Sequence, residues 1–561
     1  MKTLICQINT IPNDFVRNYE QIVVGIAEGR RNNADLIVFP ELAIPGYLCK
    51  DMMFRKDFIG KNLDCLQALP SYLPAGYEPH IVIGYIDRNY SGCGKPFRNM
   101  AAVFKGPRLI ATYQKHLLPF YDVFDEGRYF APGTELTVVE ICGQKWGICI
   151  CEDLWNDKGS DDYNYQFNPL EAYRTRGIYN IISINSSPFV RGKPKKRIEM
   201  VKQSTDKIGT IIYCNQLGGQ DELVFDGNSF IVEKGLVKAV AGMEPYQFYD
   251  DANRADQWGS ILRDEPYDMI KLGLKDYITK SGFKQVVVGS SGGIDSALVL
   301  SLACDAIGPE NVHGIRMPTT ISSEHSKNDA ELLHNNLGCH DHIIPIAHNP
   351  FIGHILANLK MGIDPKPIAD ENIQARLRGM ILMYYSNAFD ALLLSTGNKT
   401  ELALGYCTLY GDMNGGFCPI NDLYKMQVYD MAHFYNQDGR SGRTRKYYIP
   451  ENILTKAPSA ELAPGQTDEA SLLPYPILDA IVEAYVEEFI GDFKAFREYY
   501  NNSRHIPIQD WIDSKDAEEK YKRMIRLINI NEFKRRQAAP GIKITPIAFG
   551  IGRRLPICHG R

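Results

Sequence analysis

The stretch Val286-Val287-Val288-Gly289-Ser290-Ser291-Gly292-Gly293-Ile294-Asp295-Ser296 has the makings of a phosphate cradle. The valines read as a buried strand, and Ile294–Ile307 reads as the helix that follows. The glycines let backbone N–H groups close on a ligand, and the helix N-terminus adds positive potential. Ser291 and Ser296 offer hydroxyls, and Asp295 is a carboxylate able to hold Mg2+ against phosphate. The loop is not of the Walker A kind, because no Gly-Lys-Ser/Thr is present. Three stretches of the first half carry other reactive types. Phe39-Pro40-Glu41-Leu42 puts a carboxylate just after a buried strand. Tyr113-Gln114-Lys115-His116-Leu117 offers a lysine in an apolar setting. Gly147-Ile148-Cys149-Ile150-Cys151-Glu152-Asp153 offers a cysteine at a strand end. Taken singly, such residues are more often solvated charges or core packing.

In this order, the three stretches resemble the Glu–Lys–Cys triad of the nitrilase/amidase family, over about the first 250 residues. Amide hydrolysis through a covalent intermediate needs a thiolate, a proton carrier and an oxyanion stabiliser. The resemblance makes Cys151 the nucleophile, Glu41 the proton carrier and Lys115 the oxyanion stabiliser, with Glu126 as an accessory glutamate. Cys149 lies two residues before Cys151, so strand alternation predicts that both face the same side. The family pattern places the nucleophile before Glu152, which selects Cys151. A Cys149/Cys151 metal site lacks a His or Cys pair nearby. The glutamine-using branch of the family implies a pocket with Tyr47 and Tyr121 as aromatic positions. Ser187 and Lys193 would hold the amino-acid end of glutamine, with Arg191 and Arg197 as alternatives to Lys193.

The cradle resembles the Ser-Gly-Gly-x-Asp-Ser loop of the N-type ATP pyrophosphatases, which split ATP to AMP and pyrophosphate while adenylating a substrate. Within that group, residues 264 to 561 resemble the NAD synthetases through Ser395-Thr396-Gly397-Asn398-Lys399-Thr400-Glu401, Tyr410-Gly411-Asp412, Pro419-Ile420-Asn421-Asp422-Leu423-Tyr424-Lys425 and Lys456-Ala457-Pro458-Ser459. The resemblance implies ATP contacts from Gly289, Ser290, Ser291, Gly292, Gly293, Ile294, Asp295, Ser296, Thr396, Lys425 and Ser459. Asp295 and Glu401 would hold Mg2+. Asn372, Arg376 and Glu401 would meet the dinucleotide, with Lys534 and Lys543 as closing contacts. Ammonia-using synthetases carry a lysine before Tyr-Gly-Asp where this chain has Leu409, so the dinucleotide contacts are not fixed there. His334, Cys339, His340 and His342 invite a metal reading, but their spacing is not a standard zinc pattern, and a structural role is preferred.

The elements that must position these groups read as two α/β halves. Strands Lys2–Ile8, Asp35–Phe39, His80–Tyr85, Lys145–Ile150, Tyr179–Ile184 and Thr210–Cys214 go with helices Val16–Arg31 and Phe54–Leu69 and with hairpins near Asn99–Tyr113 and Asn228–Val240. With the nitrilase resemblance this implies an αββα sandwich. Glu244–Trp258, polar and without periodicity, reads as a linker. The boundaries are drawn as residues 1–250, a linker 251–262, and 263–561. In the second half, helix Tyr267–Lys280 precedes strands Gln285–Val288, Val312–Met317, His342–Ile346 and Ala391–Ser395, which alternate with helices such as Ile368–Ser386. That is a doubly wound parallel sheet, with ligands expected beyond the carboxyl ends of its strands. Asn436–Arg445 reads as a loop-like insertion.

At 561 residues, 44% hydrophobic and 23% charged, the chain can build two or more large cores. A net charge of −5 gives no electrostatic footprint for nucleic acid, and no apolar run reaches a membrane span. Thirteen cysteines in so long a chain are not a disulfide framework, and with no signal-peptide pattern they suit a reducing cytoplasm. Together the resemblances imply an enzyme that frees ammonia from glutamine and uses ATP and Mg2+ to amidate deamido-NAD, with a shielded path for ammonia. They also imply a homo-oligomer with paired synthetase domains. Asparagine synthetases use an N-terminal cysteine, but residue 2 is Lys. GMP synthetases use a Cys-His-Glu amidotransferase, which the first half does not resemble. An amidohydrolase with a nucleotide-sensing second domain is the reading from another class, and a complete pyrophosphatase set argues against it.

Overall fold

The computed structural model describes residues 1–73, 75–155, 165–205, 209–251, 262, 264–320, 322–358, 366–437, 448–458, 472–501 and 506–559. It divides into two compact units, Met1–Met269 and Ile270–Arg561.

The first unit holds two six-stranded sheets. One runs in the order Tyr246–Asp250, Lys2–Cys6, Leu36–Val38, His80–Arg88, Phe97–Lys105, Arg108–Gln114. The other runs Leu236–Val240, Phe230–Glu233, Thr210–Asn215, Asn180–Asn185, Gln144–Ile150, Val138–Ile141. Each has a parallel centre and antiparallel edges. Alternation along the strands gives every sheet two apolar faces. The inner faces meet in one core, where Ile5, Val38 and Val103 join Ile148, Ile184 and Ile212. The outer faces are covered by helices. Phe15–Arg31 lies on the first sheet, close enough that a Cβ on Gly25 would meet Phe39 at 2.8 Å. Pro169–Arg174 and Lys193–Thr205 cover the second sheet over Cys149, Ile181 and Tyr213. The predicted αββα layering is present. The predicted linker Glu244–Trp258 overlaps a strand, and its residues 252–258 lie outside the described residues. Tyr246–Asp250 is a strand paired antiparallel with Lys2–Cys6, because the first sheet needs its edge covered.

The second unit is built on a four-stranded parallel sheet, ordered His340–Ile343, Val312–Arg316, Gln285–Ser290, Ala391–Leu394. The His340–Ile343 strand begins two residues earlier than expected from the apolar run. Helix Pro367–Phe389 packs its Leu382 on Val287, Ile315 and Leu393. The chain order reverses between Gln285–Ser290 and Ala391–Leu394, so the loops after these strands part there and leave a crevice. A separate apolar cluster, with Phe496, Trp511 and Tyr521, unites the C-terminal helices. The predicted insertion Asn436–Arg445 starts inside helix Lys425–Gln437, and the remainder falls outside the described residues. Among the described residues no helix is long and apolar enough to cross a membrane.

Candidate active sites

In the first unit, Glu41 follows strand Leu36–Val38 at a sharp turn. A Cβ on Gly84 of the neighbouring strand would lie 2.2 Å from Leu42 N and 2.6 Å from Pro40 O, so only glycine lets this turn pass. Lys115 follows strand Arg108–Gln114. Its Nζ lies 2.7 Å from Glu41 Oε1 and 2.8 Å from Glu126 Oε1, and all three side chains are fully buried. Asn99 Nδ2 and Ser186 N donate to the two oxygens of Glu41 at 2.8 and 3.0 Å. Bonding of this kind lets the Glu41 and Lys115 charges survive out of water, whereas Glu126 Oε2 is buried without a partner among the described residues. Burial pulls the Lys115 ammonium down, but the carboxylates of Glu126 and Glu41 outweigh it and hold the group well above its ordinary value. Burial pushes Glu126 up to about 7, with Lys115 opposing and Glu41 assisting.

Cys151 stands where strand Gln144–Ile150 turns into helix Glu152–Trp155, with φ at +46°. The left-handed backbone costs energy for a non-glycine residue and is a frequent mark of a functional turn. It also breaks strand alternation. Cys149 packs outward with Leu154 and Tyr173, whereas Cys151 joins the core between the sheets. The expectation that both cysteines face one side is thus wrong, because a strand's period ends where its backbone does. Burial pushes the Cys151 thiol well up. The Glu41 carboxylate adds to that, and the Lys115 ammonium works against it.

The proposed pocket residues separate. Tyr47 is fully buried and donates to Glu126 Oε1 at 3.1 Å, so it steadies the accessory glutamate. Tyr121 donates to Glu152 at 3.0 Å. Ser187 N donates to Asn215 Oδ1, and its carbonyl accepts from Arg197. Lys193 Nζ sits 5.8 Å over the Trp155 ring at the start of helix Lys193–Thr205. Arg197 is no substitute for Lys193, because its guanidinium is committed to Asp226 at 2.8 and 2.9 Å. Sequence reasoning missed Asp153. Its carboxylate accepts from Ile150 N, His116 N, Leu117 N and Tyr113 Oη at 2.8–3.1 Å, tying the Lys115 segment to the Cys151 turn. Its place in Cys151-Glu152-Asp153 was the available signal. Asp153→Asn turns an N–H group toward these donors. We expect a loss of about 1–3 kcal/mol in urea unfolding of this unit.

In the second unit, the crevice is a cavity of about 460 Å3 that contains the whole run Gly289 to Ser296, with Thr396, Asn372, Glu401, Lys425 and Lys534. Gly292 has φ +79°, and a Cβ there would lie 2.4 Å from Ser326 O. Ser291 Oγ accepts from Gly293 N at 3.2 Å, and Ser296 Oγ donates to Gly293 O at 3.0 Å, which sets the loop. No side chain caps helix Ile294–Ile307, so its first N–H groups remain available to an anion. Ser290 Oγ and Ser395 Oγ are buried and without a partner among the described residues. Lys425 Nζ lies 2.5 Å from Asp295 Oδ2 and 3.1 Å from Glu401 Oε1. Asn398 donates to Asp295 Oδ1 at 2.9 Å and forms a reciprocal cap with Glu401. Burial would lower Lys425, but both carboxylates hold it above its usual value. Burial raises Glu401 to about 7, with Lys425 opposing and Asp295 assisting. Asp295 and Glu401, hard oxygen donors lining the same cavity as the loop, would suit Mg2+.

Two expected dinucleotide contacts do not reach the cavity. Arg376 is exposed and donates through Nε to Leu409 O at 3.2 Å; Arg378, two residues on along the helix, lines the cavity instead. Lys543 is buried on the carbonyls of Thr545 and Pro546 at 2.8 and 2.7 Å. Lys534 does line the cavity, with its ammonium on the carbonyls of Gly405 and Cys407. Asn372 Oδ1 accepts from Thr408 at 2.9 Å. Ser459 falls outside the described residues. Of the histidine group, His334 Nδ1 lies 2.6 Å from Asp341 Oδ1, and His342 Nε2 lies 3.2 Å from His313 Nδ1.

The comparisons with known proteins divide the chain along the same line. Residues 3–242 match the carbon-nitrogen hydrolase family model, and residues 267–538 match the NAD synthase model. The glutamine-dependent NAD(+) synthetase of Synechocystis sp. is 37% identical, over 99% of this chain and 98% of its own length. The chain belongs to the glutamine-dependent NAD(+) synthetase family. The family member from Thermotoga maritima is 36% identical, over 100% of this chain and 98% of its own. The solved glutamine-dependent NAD+ synthetase of Acinetobacter baumannii, in complex with adenosine diphosphate, superposes with a TM-score of 0.73. It is 33% identical, covering 99% of this chain and 98% of that one. The family's two-domain α/β architecture, a nitrilase-like sandwich and a parallel-sheet synthase domain, is the fold of this chain.

Proposed function

We propose that this chain converts deamido-NAD to NAD, using ATP and ammonia released from glutamine, and yields AMP, pyrophosphate and glutamate. The observation that carries this is the presence of two complete reactive sets in one chain: Cys151 with buried Glu41, Lys115 and Glu126, and the Gly289–Ser296 loop with Lys425 between two carboxylates. In the first unit, Glu41 takes the Cys151 proton as sulfur attacks the glutamine amide carbon, and returns it to the departing ammonia. Lys115, held by two carboxylates, donates to the oxyanion. Tyr121, Ser187 and Lys193 would face the amino-acid end of glutamine, where the Glu152 carboxylate adds the complement to an ammonium group. In the second unit, the loop N–H groups and Lys425 bind the ATP phosphates. A carboxylate oxygen of the dinucleotide attacks the α-phosphorus, pyrophosphate leaves, and ammonia then displaces AMP from the acyl carbon. Asp295 and Glu401 would hold Mg2+, which supplies charge neutralisation on the phosphates when bound. Asn372, Arg378 and Lys534, which line the cavity, would meet the dinucleotide.

The thirteen cysteines, all in thiol form, fit a cytoplasmic enzyme. Met380, Tyr384 and Phe389 leave exposed apolar surface on helix Pro367–Phe389, of the kind that a second copy covers in a homo-oligomer. The test of the whole reading is pyrophosphate release. It should require deamido-NAD and ATP together, with NAD formed in equal amount. Glutaminase activity without dinucleotide-dependent pyrophosphate would instead make the second unit a nucleotide sensor.

A further inference from the structure

Three helices meet at the charge cluster of the second unit. Helix Lys399–Leu404 carries Glu401, helix Lys425–Gln437 opens with the lysine that reaches Asp295 and Glu401, and helix Tyr475–Val486 packs on both. Asp479, in the second turn of the last helix, joins the other two. Its Oδ1 accepts from Thr400 Oγ1 at 2.5 Å, and its Oδ2 accepts from Met426 N at 2.8 Å. Thr400 Oγ1 in turn accepts from Lys425 N at 3.2 Å. The first two N–H groups of helix Lys425–Gln437, which have no acceptor within the helix itself, are thus held by Thr400 and Asp479. A carboxylate there also suits the positive pole of the helix. One turn before Asp479, the Tyr475 ring lies 5.2 Å from Lys425 Nζ. Directly after the same helix, Glu487 accepts from Lys399 Nζ at 2.8 Å and from Tyr424 Oη at 2.5 Å. Helix Tyr475–Val486 therefore grips Lys399-Thr400 and Tyr424-Lys425 at two points. Asp479 is buried and does not line the cavity, so it acts only through the groups it holds.

We propose that Asp479 is a positioning residue for the phosphate site, setting how Lys425 stands against Glu401. The proposal rests on the adenylation chemistry given above. Thr400 directly precedes Glu401 in one helix, and Lys425 and Met426 open the other, so one carboxylate fixes the separation of the two elements. A lysine side chain is a flexible stem with a point charge at its end. Where Nζ returns after each turnover is decided by its backbone anchor and by the Tyr475 ring beside it. Asp479→Asn presents an N–H group to one of the two donors. Either Met426 N or Thr400 Oγ1 then loses its acceptor, and the start of helix Lys425–Gln437 is no longer tied to helix Lys399–Leu404.

Asp479→Asn should lower kcat for NAD formation from ammonium by roughly 10–100-fold, the usual scale for a group that orients a metal ligand. The Mg2+ concentration that gives half the maximal rate should rise. KM for deamido-NAD should stay near the parental value, because Asn372 and Arg378 stand on helix Pro367–Phe389. Calorimetric titration with ATP and Mg2+, without dinucleotide, should show several-fold weaker binding. Thr400→Val should reproduce these effects, and Thr400→Ser, which keeps the hydroxyl, should recover most of the loss. A substitution that only loosened the fold would lower the folded fraction and leave the Mg2+ requirement unmoved. The proposal is overturned if Asp479→Asn keeps the parental rate and Mg2+ requirement. It is also overturned if the rate falls while Mg2+ requirement and ATP affinity hold, or if Thr400→Ser behaves as Thr400→Val. Where Asp479→Asn does not fold, the Thr400 pair carries the test. A parent protein that makes no NAD would overturn the function proposed above, and the ATP titration would still read the positioning role.

Discussion

Cys151→Ala should lose NAD formation from glutamine and keep NAD formation from ammonium. Without the sulfur no glutamyl thioester forms, and the glutamine-driven rate should fall by roughly 10^4-fold or more, as when other covalent nucleophiles are removed. The fold should tolerate the change, because Cys151 is small and its neighbours Glu41, Lys115 and Glu126 keep one another paired. The Gly289–Ser296 loop, Asp295, Glu401 and Lys425 all lie in the other unit and are untouched. Ammonium salt should therefore restore the reaction, and more so as pH rises, since only the free amine is nucleophilic. Cys149→Ala is the comparator. Its thiol packs under helix Pro169–Arg174 on the outer face of the sheet, so glutamine should still serve at much of the parental rate. The measurement is NAD produced by each variant with each nitrogen donor. A Cys151→Ala protein that still uses glutamine at near the parental rate would falsify the triad. A folded one that fails with ammonium would show that the two chemistries are not separable.

The second large effect is expected at the charge cluster in the crevice. Asp295→Ala and Glu401→Ala should each abolish NAD formation with either nitrogen donor, and Lys425→Met should lower it by roughly 10^2–10^3-fold. Lys425 reaches both carboxylates, so the three side chains act as one unit. Removing either carboxylate takes away half of the pair that would hold Mg2+ and frees Lys425 to close on the other. Removing the lysine leaves two carboxylates facing each other. Glu401, already raised to about 7, should then take up a proton more readily and bind a cation less well at neutral pH. Raising Mg2+ should recover part of the Lys425→Met rate and little of the Asp295→Ala rate. Substantial synthesis by Asp295→Ala at ordinary Mg2+ would remove the metal assignment. Glutaminase activity is not the deciding assay here, because coupled sites can lower it too.

Features written in contiguous residues were legible without the fold. The valine run, the small-residue turn and the apolar Ile294–Ile307 stretch specify strand, loop and helix locally, and the helix has those bounds. Glu41 comes after a strand of three residues, and Cys151 and Lys115 each follow a strand of seven, because a parallel-centred sheet presents its chemistry at strand ends. The two-unit organisation was also visible, in two resemblances separated by the polar, aperiodic stretch Glu244–Trp258. What the sequence could not decide depended on groups far apart in the chain. Tyr47 reads as a pocket wall, yet its hydroxyl serves Glu126, 79 residues away. Arg376 and Lys543 have suitable charge, but one is drawn to the Leu409 carbonyl and the other is buried on its own turn. Lys425 reads as a phosphate ligand, and only the crevice shows it between Asp295 and Glu401. The side on which Cys151 stands was settled by a single backbone angle, φ +46°, which turns its thiol away from the face that Cys149 occupies. Local propensity selects which elements form, and tertiary packing decides where a strand's alternation stops and which charge meets which.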